Sequence, residues 1–120
     1  MKRTITALAI LFVIAGQAVC YADGNKLLSQ CNAALSEPQR INFLDAGYCM
    51  GFLNGLTTTT SIMTKVFNIS RPFCMPNNVT TGQSVRIVVK YLKDHPESLH
   101  EDEGFLAMLA FIEAFPCKEK

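Results

Sequence analysis

The chain has 120 residues, 49% of them apolar and 18% charged, with eleven Lys and Arg against ten Asp and Glu for a formal charge of +1. So even a balance gives no electrostatic footprint for nucleic acid or an anionic membrane, and with no tryptophan and few aromatic residues there is no base-stacking surface. The length suits one domain rather than two.

The N-terminus reads as a secretory signal peptide over residues 1–22. Lys2 and Arg3 form a positive start, Ala7 to Ile14 an apolar core, and Cys20, Tyr21 and Ala22 a cleavage site. The apolar run is too short for a membrane span. A lipoprotein would need a small residue before Cys20 and an aliphatic residue three before it, where Val19 and Gln17 stand. Cleavage is therefore expected after Ala22, leaving residues 23–120 as a single helical domain without a membrane partner. Losing Lys2 and Arg3 leaves nine basic residues against ten acidic ones, a formal charge of −1.

Cys20 leaves with that segment, and Cys31, Cys49, Cys74 and Cys117 remain. An even set in a small exported domain reads as a disulfide framework, because an oxidising compartment preserves bridges and a small core benefits from them. Four thiols allow three pairings. Sequence order and helix adjacency favour Cys31 with Cys49 and Cys74 with Cys117, contributing about 3 and about 4 kcal/mol by loop closure. A four-cysteine zinc site is the rival, and it lacks the C-x-x-C pair such sites use.

Four helices follow in order, and strand-period alternation is missing, so the expected fold is all-α: a compact four-helix domain braced by two disulfides. The first spans about Gly24 to Leu35, with Leu27, Leu28, Cys31, Ala34 and Leu35 on one stripe and Pro38 beyond its end. The second runs from about Asn42 to Phe67. It carries apolar residues in most sectors and is expected to be central, with a break or fraying after Leu56 where Thr57 to Thr60 lower helix propensity. Gly47, Gly51 and Gly55 lie on one of its stripes, each costing a helix roughly 0.8–1 kcal/mol relative to alanine. They are read as a helix-packing surface on which a neighbouring backbone approaches closely, and otherwise as a homodimer contact.

A loop stiffened by Pro72 and Pro76 follows, with N-x-S/T sequons at Asn68 and Asn78. Thr80 and Gln83 then form a capping box ahead of a third helix, about Thr81 to Lys93, with Val85, Val88, Val89 and Leu92 opposite Arg86, Lys90 and Lys93. "DHPES" is a turn. Pro96 suits the first position of a fourth helix reaching about Phe115, and Glu97, Glu101, Asp102 and Glu103 suit its positive start and a solvated face.

Catalytic chemistry is hard to assemble from these residues. The thiols are expected to be bridged, and the histidines stand apart from any nucleophile: His95 as a turn residue capping the fourth helix, His100 as a solvated neighbour of acids. A metal held by His100, Glu97 and Glu101 lacks a second histidine or a cysteine-rich partner segment. No catalytic residue, metal or cofactor is therefore assigned, and binding without turnover is the expectation.

The order of several segments adds to this. "CNAAL", "YCMGFLNG", "FCMPNNVTTGQ", "VVKYLKDHPESLH" and "AFPC" resemble the immunity proteins of type VI secretion amidase effectors, the Tai-like family. The likeness spans about Leu27 to Cys117, and its most specific parts are "CMPNNVTTGQ", "YLKDHPE" and "FPC". The resemblance implies a small helical periplasmic protein, commonly a homodimer, that binds a peptidoglycan amidase and occludes its active site. It further implies a protruding loop between the last two helices as the inhibitory element, here Lys93, Asp94, His95, Pro96 and Glu97 flanked by Lys90 and Tyr91. The alternative is a periplasmic acid-stress chaperone, similar to the small helical proteins that expose apolar surface when acid loosens a dimer.

Overall fold

A computed structural model describes residues 22–118. The expected signal peptide lies outside them except for Ala22. Four helices form in the expected order: α1 Gly24–Ala34, α2 Phe43–Phe67, α3 Thr81–Asp94 and α4 Glu103–Ala114, with short 3-10 turns at Pro38–Arg40 and Pro96–Ser98. Among the described residues the only extended pairing is an isolated bridge between Asp23 and Asp102.

Side-chain caps set the helix starts. Asp23 accepts the Lys26 N–H at 3.0 Å and starts α1. Asn42 accepts from Leu44 and Asp45 and starts α2, while its amide donates to the Asp45 carboxylate at 2.6 Å. The capping box ahead of α3 is complete: Gln83 N–H donates to the Thr80 hydroxyl, and Thr80 N–H donates to the Gln83 side chain. Helix α2 ends at Asn68 in the left-handed conformation (φ 52°), which asparagine tolerates better than most residues.

All four helices supply the core: Leu27 and Cys31 from α1, Cys49 and Leu53 from α2, Val85, Val88 and Leu92 from α3, and Leu106, Ala107, Ala110 and Phe111 from α4. Phe73 from the long loop closes it, its ring 5.3 Å from that of Phe111. Both bridges favoured from the sequence are present. Cys31–Cys49 ties α1 to α2 inside the core, and Cys74–Cys117 ties the long loop to the C-terminal segment.

Four expectations about these elements need correcting. Helix α2 is not central: of its residues only Ala46, Cys49 and Leu53 are buried, fewer than in any of the other three helices although it is the longest. Nor does α2 break after Leu56. The hydroxyls of Thr57, Thr60 and Thr64 donate to the carbonyls of Asn54, Leu56 and Thr60, so the threonine run bonds back onto its own helix. Helix α4 starts at Glu103 rather than Pro96, because Asp102 caps it by accepting the Phe105 N–H at 2.9 Å. Glu97 and Glu101 therefore lie before the helix. Glu103 lies within it and is not on a solvated face: it is 7% exposed and accepts the Tyr48 hydroxyl.

Candidate partner-binding turn

The turn between α3 and α4 follows from one proline. Pro96 disfavours helical backbone at the residue before it, and His95 leaves the helix at φ −123°, ψ 59°. His95 then folds back. Its N–H donates to Tyr91 O at 3.1 Å, and its ring Nδ1 lies 2.9 Å from the same oxygen, which can only accept, so Nδ1 carries a proton. The imidazole stacks on the Tyr91 ring at 4.2 Å. His95 thus caps the end of α3, not the start of α4.

The other side of the turn is clamped to the start of α1. Leu99 O accepts from both the backbone and the side-chain amide of Asn25, and Gly24 N–H donates to Glu101 O at 3.1 Å. Gly24 makes this approach possible. A Cβ there would lie 3.1 Å from the Leu99 backbone and 2.4 Å from the Leu106 side chain.

Lys90, Lys93, Asp94, Pro96 and Glu97 are exposed, while Tyr91 and His95 are half-buried. Lys90 and Asp94 pair one turn apart on α3, and the Asp94 carboxylate raises the Lys90 pKa above its ordinary value through that hydrogen bond and its charge. An exposed pair of this kind adds little to stability and instead sets the local charge pattern. Burial, followed by the charges of Glu113 and Glu97, pushes the Tyr91 phenol up, so it remains a protonated donor at neutral pH. The structure thus pairs Lys90 with Asp94 and Tyr91 with His95 beside the 3-10 turn that carries Pro96 and Glu97. Lys93 is exposed beside them and forms no ion pair among the described residues.

This surface offers charge, one aromatic face and hydrogen-bonding groups. All four cysteines of the described residues are bridged, and among those residues no group of three or more His, Cys, Asp or Glu is placed to hold a metal. His100 lies exposed, 3.3 Å from its neighbour Glu101.

The glycine stripe behaves otherwise than expected. A Cβ on Gly47, Gly51 or Gly55 would meet nothing within 4 Å, so among the described residues no other helix packs against them. They lie on the side of α2 away from Ala46, Cys49 and Leu53, which is the physical reason for the correction. Sequence reasoning missed Gly24 and the Tyr48–Glu103 pair. The only trace of Gly24 was its place at a helix start, and nothing in the sequence linked a tyrosine to a glutamate in another helix.

The structure is thus a small helical domain with bridged cysteines and a turn held between the end of α3 and the start of α1. The chain belongs to the Rap1a immunity proteins, a type VI secretion immunity family, whose pattern matches residues 23–117. No curated protein and no solved structure matches it.

Proposed function

We propose that this protein is exported to the periplasm and there neutralises a peptidoglycan amidase effector by seating the His95–Glu97 turn in its active site. Membership of an immunity family supports the protective role. The observation that carries the mechanism is the pre-organisation of the turn, with its entry locked by the Tyr91–His95 stack and its exit by the start of α1. A loop already held in one conformation loses little entropy on docking, and occlusion needs no chemistry of its own. Two disulfides and a family match beginning at Asp23 support export and removal of residues 1–22.

The test is peptidoglycan hydrolysis by a type VI secretion amidase effector, with and without the oxidised protein. Stoichiometric inhibition is expected, together with its loss in a Pro96→Gly, Glu97→Lys double variant that keeps the wild-type helical circular dichroism. Undiminished inhibition by that variant removes the turn from the mechanism. Failure of the wild type to bind removes the amidase.

The outer face of α2 fits a second copy of the chain. Gly51 and Thr59 stand four residues either side of Gly55, Tyr48 and Ile62 seven, and Leu44 and Val66 eleven. Large exposed side chains thus flank a small centre symmetrically, with Leu44 83% and Val66 67% exposed. Two such helices can cross antiparallel at Gly55, each filling the other's shallow centre, as a two-fold interface requires. Light scattering on a size-exclusion column should give a dimer for the wild type and a monomer with wild-type helical circular dichroism for Gly55→Arg. A monomeric wild type removes this interface.

The same apolar face is the observation that favours the chaperone reading. Suppression of client aggregation at low pH, seen by light scattering, would support it, since a dedicated inhibitor has no such activity.

A further inference from the structure

At the far end of α3 from the turn, the C-terminal half of α2 and the loop after it enclose an open cleft of about 350 Å³. Helix α3 runs for 14 residues between the two regions, or about 20 Å at the usual rise, so a protein held at the turn does not fill the cleft by that contact.

The chemistry of the cleft is one-sided. Lys65 and Arg71 line it, no aspartate or glutamate does, and neither cation has an ion-pair partner among the described residues. In a chain of nearly balanced charge, that is a local positive site. The α2 wall adds Thr57, Thr60 and Thr64. Each hydroxyl has already given its proton to a helix carbonyl, so only lone pairs are left for the cleft. Such a wall suits N–H donors, whereas the cations suit carboxylates. The opposite wall includes Pro76 and Val79, which offer apolar surface, backed by the buried Phe73 ring.

That wall is loop, yet it is held. Cys74 N–H donates to Phe115 O at 2.8 Å, Cys74 is bridged to Cys117, and Phe73 is anchored on Phe111. From Thr57 to Lys65 the helix rises roughly 12 Å, about the length of four extended residues. A small anion would use only the cationic end.

We propose that this cleft binds an extended, acidic peptide segment of a partner protein, its carboxylates on Lys65 and Arg71 and its amide N–H groups on the threonine wall. The site is separate from the turn and goes beyond the immunity reading.

Fluorescence anisotropy of the oxidised protein with a labelled six-residue peptide of alternating Val and Glu tests it. Saturable binding that weakens with added salt is expected, at least about tenfold tighter than for the matching Val–Lys peptide. Lys65→Glu with Arg71→Glu should lower affinity at least about tenfold without changing the melting curve, both side chains being exposed. Lys65→Ser with Arg71→Ser serves if the charge reversal fails to fold. Equal binding of the two peptides overturns the proposal, as does unchanged affinity in the folded variant. Displacement of the peptide by free glutamate at the peptide's own concentration also overturns it, since the threonine wall would then contribute nothing.

Discussion

Tyr48 on α2 donates its hydroxyl to the carboxylate of Glu103, 55 residues later in the first turn of α4. Glu103 is nearly fully buried, and its second oxygen has no hydrogen-bond partner among the described residues. One phenol therefore supports a buried acid and joins two helices that share few other contacts near that end.

Removing this donor should be costly. Tyr48→Phe leaves the buried carboxylate without the Tyr48 hydroxyl, a loss of about 1–3 kcal/mol, or a drop of at least about 4 °C in melting temperature for a domain of this size. Glu103→Leu in the Tyr48→Phe background should recover most of it, because no polar group is then stranded. Equal destabilisation in the single and double variants would show that packing, not the hydrogen bond, sets the loss.

The glycines give opposite expectations by position. Gly24→Ala forces a methyl against the Leu99 backbone at 3.1 Å, where the flexible Leu106 side chain can yield but the main chain cannot, and should destabilise by about 1–3 kcal/mol. Gly51→Ala meets nothing among the described residues and should stabilise α2 by about 0.5–1 kcal/mol through helix propensity. Thermal melts of the two variants should shift in opposite directions. A lower melting temperature for Gly51→Ala would contradict the open stripe.

These positions show where the sequence was legible. Capping residues act on their own neighbourhood, so Thr80 with Gln83 could be read directly, and the valine stripe of α3 marked its buried face. The cysteine pairing followed because each bridge joins segments adjacent in chain order. Periodicity could not tell which side of α2 its own chain covers. Leu44, Ile62 and Val66 have the composition of core and the position of surface. The start of α4 was ambiguous because a proline at residue 96 and an aspartate at residue 102 both suit a helix start, and the Asp102 side chain prevails by capping the Phe105 N–H. The burial of Glu103 depends on a partner in another helix, which no local pattern encodes. In the turn, the proline and its neighbours were legible, while the clamp from Asn25 and Gly24 was not.

Acid should act through the first cap. The Lys26 N–H, as the largest influence, holds the Asp23 carboxyl below its ordinary value. A carboxylate with a depressed folded pKa stabilises the fold above its unfolded value, and that contribution disappears as pH falls through the folded one. Stability should therefore decline below the ordinary carboxylate range. Asp23→Asn, which still caps but does not titrate there, should flatten the decline. Urea midpoints from about pH 7 to about pH 2.5 check this, and identical slopes for the two proteins would exclude Asp23 as a contributor.

Reduction should proceed in order of access. Cys31 and Cys49 are fully buried, whereas Cys74 is exposed and Cys117 half-buried, so a thiolate reductant reaches the second bridge first. Alkylation and mass spectrometry over a reductant series should show Cys74 and Cys117 labelled while Cys31 and Cys49 remain bridged. Helical content should persist at that stage, since the Cys74–Cys117 bridge secures the long loop rather than any helix pair. The opened protein should nevertheless be less stable, by up to about 4 kcal/mol from the longer closed loop. Peptide binding in the cleft should weaken with it, because the wall carrying Phe73 then loses its covalent tie and keeps only its non-covalent ones, among them the Phe111 ring and the Cys74–Phe115 hydrogen bond. Simultaneous labelling of all four cysteines would mean that the domain opens globally before the exposed bridge reacts, and that the core offers no separate protection to the inner one.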